Sequence, residues 1–306
     1  MIPLFSTLLF IIPIYLFSNR FKMNPKNSLF VTIVIIILLY LTFSQESKKK
    51  QNLNHIYKGK EVAKNSSIIL ATCIRNASDS IYNIECFYNK FNAIFKKVKL
   101  VVLENDSTDK TREALLKMKQ EKINDMDIVG CGLDQDQCLM KLNNIRSGIS
   151  SQRTRRMAKI RNILLSHIKS IQKDYQYCVM FDGDLEIDKF ENDGIFDTMY
   201  YLDHDKKIDA IAANTYRDQG EVYNRIYDSY AFKPTKGTKL SCFVYYYTEG
   251  IIKVKSAFNG LVIYRLPFSD NIKYDENTKT CEHIGFHEQL DNMYINTNFV
   301  IEISGH

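Results

Sequence analysis

The sequence predicts an α/β fold with a mainly parallel sheet, and three observations carry that prediction. From Ser66 onward, short apolar runs alternate with stretches of helical spacing. The chain of 306 residues is long enough to bury a substantial core, and it is 45% hydrophobic and 25% charged with only 5 Pro and 12 Gly. That composition excludes collagen-like, mucin-like and broadly disordered chains, and the length excludes a disulfide-stapled miniprotein. Finally, acidic residues follow several apolar runs directly, and open α/β sheets bind ligands just beyond the carboxyl ends of their strands.

Taken in order, Ser67–Ile74 (SIILATCI) reads as a first strand. Behind a Ser78-Asp79-Ser80 start, Ile81, Ile84, Phe87, Phe91 and Ile94 recur at helical spacing. Lys97–Glu104 (KVKLVVLE) is a second strand, Thr108–Lys122 a helix and Asp127–Gly130 a short third strand. Over Arg153–Lys173, Met157, Ile160, Leu164, Ile168 and Ile171 share one face, which makes a helix of about six turns. Tyr175–Phe181 (YQYCVMF) is the clearest strand, and Ile208–Asn214, Gly260–Leu266 and Phe299–Ile303 continue the series. No internal repeat is visible.

Ahead of this body, residues 1–45 read as a membrane anchor of one or two transmembrane segments. Met1–Asn19 and Asn27–Gln45 are each 19 residues without a charge, which as helix span roughly 28 Å, close to a bilayer's hydrocarbon thickness. Pro3 and Pro13, with no basic start and no small-residue cleavage pattern, make a cleaved signal peptide the weaker reading. Residues 46–64 form a basic stem, and 65–306 the catalytic body, with a first half over 65–186 and a second over 187–306. The net charge of +6 resides at the front: residues 1–64 carry nine Lys or Arg against Glu46 and Glu61. The body is therefore near neutral and gives no sign of nucleic-acid binding. The flanks leave the orientation open: Ser18–Ser28 holds three basic residues and Lys48–Lys64 six, a count that by itself puts the body on the cytoplasmic face. Seven cysteines, an odd number, do not fix the compartment; Cys73 and Cys178 fall in strand-like runs where a buried thiol is ordinary. Asn65, Asn76 and Asn105 open N-x-Ser sequons, of which Asn105 lies at the end of the second strand, within the expected ligand region.

Four D-x-D triplets occur, at Asp125/Asp127, Asp134/Asp136, Asp182/Asp184 and Asp203/Asp205, so a bare triplet means little. Only Asp182-Gly183-Asp184 follows a long apolar strand directly. If extended backbone persists there, the period of two puts both carboxylates on one side, and Gly183 allows close backbone approach. Two hard oxygen ligands suit Mg2+ or Mn2+, which complete their shells with substrate phosphates and water. Arg156 and Arg161, on the helix that enters this strand, offer guanidinium forks for a diphosphate; a solvated helix face is the plain alternative.

These pieces resemble a known family. VVLENDSTDKT (Val101–Thr111) is similar to the strand-end acidic motif of family-2-like GT-A glycosyltransferases, and CVMFDGDLE (Cys178–Glu186) resembles their D-x-D motif. ATCIRN, MAKIRN, SAFNGLVIYR and CEHIGFHEQL extend the resemblance over most of Ser67–Leu290, in the expected order. Glu104-Asn105-Asp106 departs from the usual Gly/Ser-rich turn, and no Q-x-x-R-W motif of processive synthases is present. The resemblance implies a Rossmann-like GT-A fold and a metal-dependent transfer from a nucleoside diphosphate sugar to a glycan, protein or lipid acceptor, with Mn2+ or Mg2+ as cofactor. An anchored enzyme of this kind is expected on an endomembrane of the Golgi or ER type. Carried over residue by residue, Asp106 and Glu104 would meet the base and ribose, Arg75 the nucleotide, Asp182 the ribose or metal, and Asp184 the metal.

For the proton leaving an acceptor hydroxyl, Glu282 in CEHIGFHEQL is the first choice of base, with Asp228 and Asp270 behind it. His283 or His287 could complete the metal shell. The aromatic stretch from Tyr216 to Gly260 would meet the acceptor sugar, although half-buried packing is the ordinary role of such tyrosines. Two other functions stay in view. A sugar nucleotidylyltransferase favours a Gly-rich loop after the first strand, which ATCIRNASD lacks. An anchored module that binds nucleotide or carbohydrate without catalysis is the non-enzymatic reading.

Overall fold

The computed structural model describes residues 33–34, 52–130, 151–185, 187–217, 227–236 and 250–303. The chain divides into two units, Met1–Asn54 and His55–His306. In the first, only residues 33–34 and 52–54 are described, so the two expected membrane segments otherwise lie outside the described residues. Among those described, no helix is long and apolar enough to cross a membrane.

The second unit is built on one sheet. Its strands are β1 Ser67–Ile74, β2 Lys97–Glu104, β3 Met126–Gly130, β4 Tyr177–Phe181, β5 Ile187–Phe190, β6 Ala210–Arg217, β7 Lys233–Pro234, β8 Ile251–Ser256, β9 Leu261–Arg265 and β10 Met293–Ile303. Among the described residues their order is β3-β2-β1-β4-β9-β6-β10-β8-β7, with β5 added beside β10. The first half is parallel as expected: β1 pairs in parallel with β2 and β4, and β2 with β3. The second half corrects the expectation of a mainly parallel sheet. There β9 runs antiparallel between β4 and β6, and β10 is antiparallel to β5 and β8 while parallel to β6. An apolar run reads the same in either direction. Direction is set by how each strand is connected and where it enters the sheet, which a short apolar run does not record.

Helices cover both faces. Along β1, Ile68 and Leu70 join one core cluster with the helices Ile81–Asn92, Thr111–Glu121 and Asn192–His204. Ile69 and Ala71 join a second cluster with the helix Ser151–Ile171. The same alternation runs along β4, with Tyr177, Val179 and Phe181 on the first face and Cys178 and Met180 on the second. This parity decides which residues reach the site.

Part of the expected stem belongs to the body. Residues 55–65 are helical, Ala63 is fully buried, and a Cβ added to Gly59 would meet the Phe196 carbonyl oxygen at 1.7 Å. Only glycine lets this helix lie directly on the backbone of Asn192–His204. One turn earlier, the His55 ring stacks on Tyr200 at 3.9 Å, and its Nδ1 lies 3.4 Å from Asp197.

Candidate active site

The site begins where β1, β2 and β4 end. Continuing the parity of β4, Asp182 projects on the face of the helix Ser151–Ile171, while Gly183 turns to the other face. There a Cβ on Gly183 would lie 2.9 Å from Thr72 Oγ1, 3.0 Å from Ile74 Cγ2 and 3.2 Å from Ile84 Cδ1. The backbone can pass only because residue 183 has no side chain. Asp182 is fixed further by its N–H, which donates to the Gly260 carbonyl at 2.9 Å. Asp182 and Asp184 both line a cleft of about 440 Å³, joined there by Arg75, Asn105, Arg161, Asp228, Glu282 and His283. A hollow of about 530 Å³ at the opposite, amino ends of β1 and β4, beside Ser66 and Tyr175, holds none of the expected site residues.

Arg161 organises the cleft. It is buried, its Nε donates to Glu282 Oε1 at 3.1 Å, and an Nη lies 3.8 Å from Asp182 Oδ1. Its guanidinium also stands over the Phe258 ring, 5.1 Å from the centroid. Burial opposes its charge, but the field of Glu282, reinforced by Asp182, outweighs that and holds its pKa above the ordinary value. Asp182 shows the converse balance. Burial, set against Arg161 but aided by Asp184, Asp228 and Glu282, pushes its pKa up to about 8. One buried guanidinium thus faces a surplus of carboxylates, an arrangement that favours a bound cation.

The other candidates separate by strand parity. On β1, Cys73 and Arg75 reach the cleft, and the Arg75 Nε is buried without a partner. On β2, Glu104 falls on the opposite face from the cleft and Asn105 falls on it. Glu104 is fully buried; its carboxylate accepts the Ser107 N–H at 2.6 Å and pairs with Arg112 at 3.1 Å. It locks the turn, which corrects its expected contact with the nucleotide. Asp106, with φ +50°, does not line the cleft either. Asn105 does, with a buried and unpartnered Oδ1.

The rest of the DSTD motif is a staple between the β1 and β2 loops. Asp109 accepts the N–H and hydroxyl of Thr111 and the N–H of Ser78, while the Thr111 hydroxyl receives the Ala77 N–H. This knot explains why the helix starts at Thr111 and not Thr108.

On the helix Ser151–Ile171, Arg153, Thr154, Met157, Ile160 and Arg161 line the cleft, the i, i+1, i+4, i+7, i+8 set of one face. Arg156 lies off that face, in a separate groove with Lys159 and Glu276, which corrects its assignment to the nucleotide. Arg153 takes its place in the cleft.

The two histidines also part. His287 is fully buried with both ring nitrogens engaged, Nδ1 at 2.9 Å from Ser256 Oγ and Nε2 at 2.7 Å from Tyr264 Oη. It joins its helix, Glu282–His287, to β8 and β9, and is not free to bind a metal. Burial and Arg161 lower its pKa to about 3, so it is neutral. His283 stacks on Phe258 at 3.9 Å and lines the cleft with both nitrogens unpartnered; burial keeps it neutral as well. Cys73 and Cys281 in the cleft wall are inert thiols, pushed by burial to about 11 and about 12.

Among the described residues no group of three His, Cys, Asp or Glu is placed to hold a metal ion. Asp182 and Asp184 alone fit an ion that arrives with a diphosphate, since Mg2+ takes one or two carboxylates and completes its shell with phosphate and water. Sequence reasoning missed Arg153 as a cleft residue; Tyr227, Tyr230 and Phe258 fall within the aromatic stretch expected at the acceptor, and Asn105 within the expected ligand region. The helical spacing from Arg161 back to Arg153 could have found Arg153. The other described D-x-D acids are engaged elsewhere: Asp125 and Asp127 pair with Lys99, Asp203 pairs with Lys206, and none of these lines the cleft. Asp134 and Asp136 lie outside the described residues.

No protein-family model matches this sequence, and no curated protein matches it. Among solved structures, S. aureus TarS residues 1–349 in complex with UDP-GlcNAc is 14% identical with a TM-score of 0.47, covering 78% of this chain and 59% of that one. A mycobacterial protein is 13% identical (TM-score 0.45; 82% and 72% covered). Mannosyltransferase PcManGT from Pyrobaculum calidifontis, in complex with GDP-Man and Mn2+, is 12% identical (TM-score 0.39; 84% and 66%). The chain thus spans about 60% of the TarS fragment, and at these scores the likeness carries no argument about what this chain does.

Proposed function

We propose that the chain is a metal-dependent glycosyltransferase that moves a sugar from a nucleoside diphosphate sugar to a glycan, glycoprotein or glycolipid acceptor. One observation supports this above the others: Asp182 and Asp184 leave a central strand into a cleft where Arg161, Arg153 and Arg75 also converge. Paired carboxylates beside three guanidinium groups form a site for a cation and a polyphosphate together.

In this reading Arg75 and Asn105 meet the nucleotide, and Arg153 and Arg161 the diphosphate. Asp182 and Asp184 would hold Mn2+ or Mg2+, whose remaining positions phosphate and water would fill; His283, expected as a further donor, lines the cleft without completing a group of three. When bound, the ion supplies Lewis-acid charge to the departing diphosphate. Tyr227, Tyr230 and Phe258 present rings to the apolar face of a sugar. Residues 65–186 then form the donor half and 187–306 the acceptor half. Segments 1–19 and 27–45 anchor the enzyme in an endomembrane, from which detergent but not alkaline carbonate should release it.

The test is turnover of nucleotide sugars by the detergent-solubilised full chain with Mn2+. Asp184→Ala should abolish product while keeping the melting temperature of the parent. Undiminished turnover in that variant removes the metal-binding role. Saturable nucleotide binding without product under any divalent ion would instead favour a non-catalytic binding module.

A further inference from the structure

Resting on the transferase reading, we propose that Asp228, and not Glu282, is the catalytic base, and that Glu282 is a positioning residue for Arg161. A base needs an accessible oxygen whose negative charge is not already spent on a fixed cation. Glu282 does not meet that requirement. Its Oε1 accepts the Arg161 Nε at 3.1 Å, its Oε2 faces Cys281 Sγ at 3.9 Å, and its side chain is 8% exposed. Both oxygens of Glu282 thus already have neighbours, which suits it to hold Arg161 in place.

Asp228 lines the same cleft, as do Tyr227 and Tyr230, whose rings would receive a sugar. Its Oδ1 accepts the Ala231 N–H at 3.1 Å, which fixes the carboxylate in a tight turn. Among the described residues no Lys, Arg or His lies within ion-pair distance of it. The charges that face it are the carboxylates of Glu282 and Asp182 and the guanidinium of Arg161. Burial is the main reason its proton affinity is raised, and Glu282 adds to this.

The step balances as a single displacement. The acceptor oxygen attacks the anomeric carbon, the bond from that carbon to the phosphate oxygen breaks with its electron pair leaving on the diphosphate, and the hydroxyl proton passes to Asp228. The product is therefore of inverted configuration.

The experiment compares two nucleophiles in the full chain, with UDP-N-acetylglucosamine and GDP-mannose as donor probes and Mn2+ present. Water must lose a proton on attack; azide carries none. Asp228→Asn should slow transfer to water by about 10²- to 10⁴-fold and leave formation of the glycosyl azide within about threefold of wild type. Glu282→Gln, which loosens Arg161, should slow both nucleophiles alike. Transfer to water by Asp228→Asn within threefold of wild type, an equal loss on azide, or a glycosyl azide of retained configuration each overturns the proposal. If the wild-type chain neither melts higher with a donor nor turns it over, the transferase reading itself fails, and this proposal with it.

Discussion

Replacing Arg161 by Met should lower stability steeply, and the cause is the carboxylate left behind. Arg161 and Glu282 have side chains 9% and 8% exposed and form the buried pair at the centre of the cleft. Removing one partner of such a pair costs about 3–5 kcal/mol, because the other charge stays buried without compensation. For a unit of this size about 2–4 °C of melting temperature is lost per kcal/mol, so the variant should melt roughly 6–20 °C below the parent. Far-ultraviolet circular dichroism of the detergent-solubilised chain measures this.

A further reading isolates the mechanism. The double variant Arg161→Met/Glu282→Met, which replaces the pair by apolar groups of similar volume, should recover most of the loss. A single variant melting within about 2 °C of the parent at pH 7, or a double variant that melts no higher than the single one, refutes the argument that Arg161 neutralises a buried acid.

The remaining predictions concern the loops that carry the site. Gly183→Ala places a Cβ 2.9 Å from Thr72 Oγ1; such overpacking should cost about 1–3 kcal/mol, and it should also weaken donor binding, because the strain falls between Asp182 and Asp184. A variant with parental melting and parental donor affinity contradicts this. Asp109 is exposed; loss of hydration is the largest single influence and raises its pKa, but hydrogen bonds from Thr111 and Ser78 together outweigh it and lower the pKa to about 2. Its stabilising contribution is present above about pH 3.9, the unfolded value, and is lost as pH falls through about 2. Asp109→Asn should thus be less stable than the parent at pH 7 and indistinguishable from it near pH 2 in urea unfolding.

How much of this was readable beforehand follows from what a strand pattern contains. The limits of β1 and β2 matched the expected residues because their apolar runs stop at polar groups. Which of Glu104, Asn105 and Asp106 enters the cleft depends on which sheet face the helix Ser151–Ile171 covers, and that is a tertiary fact. The helix Asn192–His204 was not anticipated. It is buried from Gly194 to Met199, so no polar stripe marks its period. His283 and His287, four residues apart, look like one metal-binding face; the structure turns the second into the sheet, where Ser256 and Tyr264 hold it. That Asp182 and Asp184 reach one cleft was legible because the signal is local, a strand end with a glycine between two acids.

The seating of residues 55–65 against the Phe196 backbone bears on where the body can be cut. A fragment beginning at residue 65, where the body was expected to start, would strip away Gly59, Ala63 and His55 and lay bare the surface of the helix Asn192–His204 that they cover.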